Sequence, residues 1–217
     1  MIKFTGVQKY TVAQLEQRGE AILKQRCGWP PEIPVDIELL VDREPGMLLD
    51  ILPGIQQVAG VAGLVRYEPK VKNFRLIIDA EVADHPAASF YRFTVAEEFA
   101  HVILHRQVME QVSTLEDLNS LHEWSGYADV DWNAKRLAAA LLMPTITVAR
   151  EVRTLYPKLV EEFGFARPAE LSAKLQERLA RLHGVSVQAM RNRLKEWPLR
   201  IAQKVEQAMR NRLTFLQ

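Results

Sequence analysis

Between Val61 and Asp79 the hydrophobic pattern of this chain changes, and that change limits the folds open to it. VAGLVRYE and FRLIID are β-rich runs, and the polar stretch EPKVKN between them carries Pro69. Two such runs around a polar break predict a hairpin or meander. The strong signals on either side are helical. Thr11-Val12-Ala13-Gln14 has the spacing of a capping box. The helix it opens has Leu15, Ile22 and Leu23 on one face and ends at Gly28 and Pro30-Pro31. In Phe93–His105, Val95, Phe99, Val102 and Ile103 recur at helical spacing. Asn133–Met143 is built from good helix formers and stopped by Pro144. PVDIELL, from Pro34 to Leu40, suits a strand or the start of a helix equally. AEVADHPAAS reads as a loop, and 107–130 as loops with one short helix. The expected class is α+β: a small, largely antiparallel sheet packed on the helix at 93–105, followed by a helical region.

A length of 217 residues allows one large domain, or a domain with a small appendage. The expected division is 1–150 for the main domain and 151–217 for helices packed on it. After Pro144 two or three helices are expected, with His183-Gly184-Val185-Ser186 as a turn between 170–183 and 187–197. QAMRNRL occurs twice, at 188–194 and 207–213. A solenoid needs three repeats or more, so a local duplication is the reading. The net charge of +1 hides an asymmetry. Residues 171–217 carry ten Lys and Arg against three Asp and Glu, whereas the rest carries 18 against 24. A basic tail on an acidic body points to intramolecular attraction or to an acidic partner. The lone Cys27 excludes an internal disulfide framework and a cysteine-based zinc finger. No apolar run of about 18 residues is present, so no membrane span is expected. The first residues lack the apolar core of a secretory signal, and a cytoplasmic location is expected.

The chemistry concentrates in FTVAEEFAHVILH, Phe93 to His105. Residues three or four apart share a helix face, so Glu97, Glu98, His101 and His105 line up. The pattern is one ligand away from the zinc-peptidase helix H-E-x-x-H. There, two histidines hold the metal and the Glu after the first acts as general base. Glu98 stands in the base position and His101 in that of the second ligand, and Glu97 replaces the first histidine. Taken alone, E-x-x-H on a helix is more often a surface ion pair than a metal site.

The surroundings change that weighting. Phe93–His101 followed by Leu104-His105 resembles the F-T-x-A-H-E-x-x-H-x-x-L-H signature of the ImmA/IrrE family of metallo-endopeptidases. Asn133–Pro144, NAKRLAAALLMP, resembles the family's second signature, E-A-N-x-F-A-x-x-L-L-M-P. Phe74–Asp79 is similar to the strand before the metal helix. Leu179–Leu194 is similar to the helix-turn-helix-like segment at the family's C-terminal end. The likeness runs from about Pro34 to Leu199. It implies a zincin-like peptidase domain and a regulator that cuts a repressor, often in mobile-element or stress circuits. It also implies a third metal ligand from the carboxylate before the Ala of E-A-N, where this chain has Asn133. Asp131 and Asp129 are the nearest carboxylates.

Three readings stay open. In the first, Glu97, His101 and Asp131, or the weak ligand Asn133, hold a divalent metal. Exchanging imidazole for carboxylate then shifts preference from zinc toward manganese, iron or magnesium. In the second, the site is dead and the chain binds a protein partner, such as a helix-turn-helix repressor, without metal. In the third, His101 and His105 form their own pair, but no Glu lies between them, so a structural or supporting role suits His105 better. His85 and His122 fall in loop segments that the sequence does not place. Arg191, Arg193 and Lys195, after the turn at Gly184-Val185-Ser186, resemble part of a DNA-reading helix. Packing on the main domain explains that segment first, and DNA is the lesser alternative.

Overall fold

Thr11 caps its helix as the spacing predicts. The Gln14 N–H donates to Thr11 Oγ1 and the Thr11 N–H donates to Gln14 Oε1. Helix α1 (Val12–Arg26) follows, with Leu15, Ile22 and Leu23 buried. The computed structural model describes residues 4–85 and 88–215. In the undecided segment, Asp36 accepts the Leu39 N–H and caps α2 (Ile37–Asp42). An Asp at that position satisfies a free amide of the first turn, which settles the segment as helix.

Next come β1 (Met47–Leu52), α3 (Ile55–Ala59), β2 (Gly63–Glu68) and β3 (Asn73–Asp79). β2 and β3 form the expected hairpin, with Gly63 opposite Ile78 and Tyr67 opposite Phe74. β1 runs parallel to β3 on its other side, so the sheet order is β1-β3-β2. The sheet is therefore mixed, where a largely antiparallel one was expected. The missing strand is MLLDIL, a short apolar run without alternation, which periodicity cannot distinguish from helix. β3 is central and carries the buried Phe74, Leu76 and Ile78. At its end Asp79 accepts amides from Gln56 and Glu81. It thereby caps α4 (Ala80–Ala83), one helical turn in the stretch read as loop.

α5 (Ala88–Met109) packs on β2 and β3 with one flank and on α7 (Tyr127–Leu142) with the other. Its backbone leaves helical geometry at His105, where φ is −128° and ψ is 36°. α6 (Leu115–Glu123) is the short helix expected before α7, and α1 packs on α7. Four helices follow Pro144 among the described residues: α8 (Thr145–Phe163), α9 (Pro168–His183), α10 (Val187–Lys195) and α11 (Ile201–Arg210). The two QAMRNRL copies differ in structure. The first lies within α10, just after the Ser186 cap, whereas the second begins near the end of α11 and leaves the helix at Asn211. No helix among the described residues is long and apolar enough to cross a membrane.

α10 docks on the main body through Arg193. This side chain is buried and donates to the Met143 carbonyl at 3.1 Å, to Thr145 Oγ1 at 3.2 Å and to Glu16 Oε2 at 2.8 Å, with a second, shorter bond to Glu16 Oε1. Arg193 is thus withdrawn from the set that resembled a DNA-reading surface: its charge is spent inside the fold. Arg191 and Lys195 are exposed, and Arg191 donates to Gln176.

His183 closes α9 from within. Its ring is buried between the Leu179 carbonyl, 2.9 Å from Nδ1, and Thr147 Oγ1, 3.2 Å from Nε2. Burial holds its pKa below the usual histidine value. The unfolded chain therefore binds a proton that the folded chain refuses. Stability is full above about pH 6.5, the unfolded value, and falls as pH drops below it. We expect His183→Gln to flatten the pH dependence of urea unfolding as pH falls below about 6.5, by up to about 1.4 kcal/mol per pH unit. Identical slopes in the two proteins would show that His183 is not a source of this acid sensitivity.

Candidate metal centre

Helical spacing on two facing helices builds the site. α5 supplies Glu97, Glu98 and His101, and α7 supplies Tyr127, Asp131 and Lys135. With His122 of α6 and the chain at 61–65 entering β2, they line a cavity of about 280 Å³. One ligand atom each from Glu97, His101 and Asp131 lies within 4.8 Å of the others. His101 is buried, stacks on Tyr127 at 6.5 Å between ring centroids, and leaves Nδ1 without a hydrogen-bond partner. Lys135 Nζ sits 2.8 Å from Asp131 Oδ2 and 3.8 Å from Glu97 Oε1, with its side chain half exposed.

The electrostatics follow from crowding. Glu97, Glu98 and Asp131 put three carboxylates into one cavity with the ammonium of Lys135. Burial pushes the Glu97 carboxyl up to about 7, with Lys135 opposing and Asp131 adding to the shift. Glu98 is raised well above the usual carboxylate range, by burial first and then by the charges of Glu97 and Asp131. Burial pulls His101 down to about 3, helped by its neighbour His105. Burial also raises Tyr127, with the three carboxylates acting in the same direction, so its phenol stays protonated. A neutral imidazole beside crowded carboxylates is a donor set short of positive charge. It fits a hard divalent cation, because carboxylate ligands suit such ions and His binds metal in its neutral form.

β2 reaches this floor only because of Gly63. A Cβ there would lie 2.7 Å from Thr94 Cγ2, 2.9 Å from Ile78 Cδ1 and 3.2 Å from Glu98 Cγ. Gly63→Ala should therefore cost about 1–3 kcal/mol by overpacking. The same crowding should displace Glu98. Thermal unfolding of the variant checks this, and an unchanged melting point would show that the wall yields without strain.

Asn133 is not part of the cluster. Two residues along a helix is about 200° of rotation, so when Asp131 faces the cavity Asn133 faces away from it. Its buried amide instead lies 3.4 Å from His105 Nε2. His105, edge-on to Tyr10 at 5.9 Å, ties α5 to α7 and to the segment before α1. Asp129 does not line the cavity. Among the lining residues, Lys135, Tyr127 and Gly63 are not marked as site residues by the sequence. Lys135 stands four residues after Asp131, a spacing that signals an ion pair once Asp131 is placed on a helix. Tyr127 and Gly63 carry no local signal, since their roles arise from packing between elements. His122, unplaced by sequence, joins the cavity through α6, whereas His85 lies against Phe90 at 5.9 Å.

A mixed three-stranded sheet under a helix bearing E-E-x-x-H, with a helical region beyond, defines a zincin-like metallopeptidase-type fold. The family model described as the IrrE N-terminal-like domain, of the M78 peptidases, matches residues 82–195. That is more than half of the chain, and the chain belongs to this family. The matched span starts in α4 and ends with the last residue of α10, so it includes the α9–α10 pair. No curated protein matches the chain.

Proposed function

We propose that this protein is a metal-dependent endopeptidase that cuts a repressor-like protein partner in the cytoplasm, with one divalent cation held by Glu97, His101 and Asp131. The carrying observation is the convergence of those three ligand atoms within 4.8 Å in a cavity that also contains Glu98. One imidazole and two carboxylates form a harder set than the usual zinc ligands and favour Mn²⁺ or Fe²⁺ relative to Zn²⁺. A bound cation supplies Lewis acidity, which acidifies water and polarises a peptide carbonyl. Glu98 takes the proton of the attacking water and delivers it to the leaving amine. Tyr127, held protonated, presents a hydroxyl donor in the same cavity. β2 lies at the edge of the sheet beside this site. Its Tyr67 N–H points outward to the Val112 carbonyl at 2.7 Å. Strand alternation turns the Val65 and Gly63 backbone the same way, offering an edge on which an extended peptide can pair.

A second reading rests on Lys135. Its ammonium already bridges Asp131 and Glu97, as a counter-ion would in a protein that holds its partner without cutting it. The two readings separate in one experiment. Tag-free protein is loaded in turn with Zn²⁺, Mn²⁺ and Fe²⁺ and incubated with the helix-turn-helix repressor encoded nearest to it, and intact masses are recorded. A single defined cut with at least one metal supports the peptidase. A stable uncut complex with every metal supports the binding module.

A further inference from the structure

A second cavity of about 590 Å³ opens beside the first, and Phe90 and Lys135 line both. Its floor is apolar, built from Phe93, Trp132 and Met143. Its far wall is α10, which presents Gln188, Ala189 and Asn192. Phe90 and Trp132 are 43% and 45% exposed, large fractions for aromatic rings. Trp132 is nevertheless fixed in place. The Arg136 guanidinium lies 5.6 Å over its ring and is ion-paired with Glu196, just past α10. α10 itself is anchored by the buried Arg193.

We infer that this groove is the part of the cleft that reads a large apolar side chain of the protein partner, with α10 as the reading helix. The inference rests on the proposed peptidase or partner-binding role of the neighbouring site and adds the chemistry it selects. A segment lying across Glu97, Glu98 and His101 leaves the first cavity over the shared residues Phe90 and Lys135, and so enters the groove. An apolar cavity of about 150 Å³ already accepts benzene, so this one has room for a phenylalanine or leucine side chain and its backbone. Gln188 Nε2 donates to Asn192 Oδ1 at 2.9 Å. The carbonyl oxygen of Gln188 and the amide of Asn192 then form an acceptor and a donor matched to a peptide group. Nucleic acid is a poorer occupant: the three cations lining the groove are each paired, Arg193 with Glu16, Arg136 with Glu196 and Lys135 with Asp131, and Arg191 is engaged by Gln176.

The chain has four tryptophans, so ¹⁵N-labelled protein gives four indole N–H signals. Trp132→Phe identifies the one in the groove. Metal-free, full-length protein is titrated with N-acetyl-phenylalaninamide, N-acetyl-lysinamide, N-acetyl-glycinamide and a short duplex DNA. We expect the Trp132 signal to shift saturably with the phenylalanine probe, at least tenfold more weakly with the lysine and glycine probes, and not with DNA. Ala189→Leu, or Asn192→Phe at an exposed position, should fill the groove and weaken the phenylalanine response at least tenfold while the Trp29 signal stays in place. An unmoved Trp132 signal, an equal response to all three amides, a shift with DNA, or a response untouched by both groove-filling variants would overturn the inference. Metal is absent throughout, so a failure of the metal site cannot produce these results. A failure here equally leaves a metal-binding or cleavage result standing.

Discussion

Glu98→Gln should slow cleavage of the partner by about 10²–10⁴-fold, the usual contribution of a general base, with bound metal unchanged. The substitution keeps the shape of the side chain, which matters because Glu98 packs beneath Gly63 in the wall shared with β2. It removes the one property hydrolysis requires of this residue, the ability to take a proton. Glu98 lies outside the trio whose ligand atoms converge, so metal affinity has no reason to fall with it. Single-turnover cleavage with wild type and variant at matched metal content makes the comparison. Equal rates would remove Glu98 from the chemistry. In a chain that only holds its partner, the substitution would be nearly silent.

The largest effect on stability is expected far from this cavity. Glu16→Ala should lower the free energy of unfolding by about 3–5 kcal/mol, the range for stranding one member of a buried ion pair. The Arg193 side chain is 1% exposed and that of Glu16 15%, so the guanidinium left behind stays largely desolvated without its counter-charge. Its remaining acceptors, the Met143 carbonyl and Thr145 Oγ1, are neutral. Replacing both partners, Glu16→Leu with Arg193→Met, should recover most of the loss, because the desolvation cost then disappears with the charge. Urea denaturation of the three proteins decides this. A loss below about 1 kcal/mol in Glu16→Ala would place the pair among ordinary surface bridges. The pair also joins α1 to α10, so the variant should loosen one wall of the groove.

Features that depend on neighbours in sequence were readable before the fold was known. The Thr11 cap, the β2–β3 hairpin and the helix ended by Pro144 each carry their own signal within a few residues. E-E-x-x-H and LLMP were legible as a family pattern, and the structure places their helices face to face. What depends on long-range packing was hidden. β1 is a strand because β3 offers it a parallel edge, and nothing in MLLDIL itself says so. Asn133 stood in the position the family pattern assigns to a ligand, but helical phase turns Asp131 to the cavity and Asn133 to His105. Arg193 read as a surface cation in a basic helix because its partner, Glu16, lies at the other end of the chain. Lys135 is inconspicuous for a different reason: a lysine four residues after an aspartate is an ordinary solvated pair until both face a cavity.

In the proposed site Glu97, His101 and Asp131 close on a metal. Elemental analysis of tag-free protein, purified without chelator beside His101→Ala, tests it most directly. About one divalent ion per chain is expected in the wild type, and its loss in the variant. Wild-type protein that stays metal-free after loading with zinc and with manganese, or a variant that retains the same metal, would contradict it.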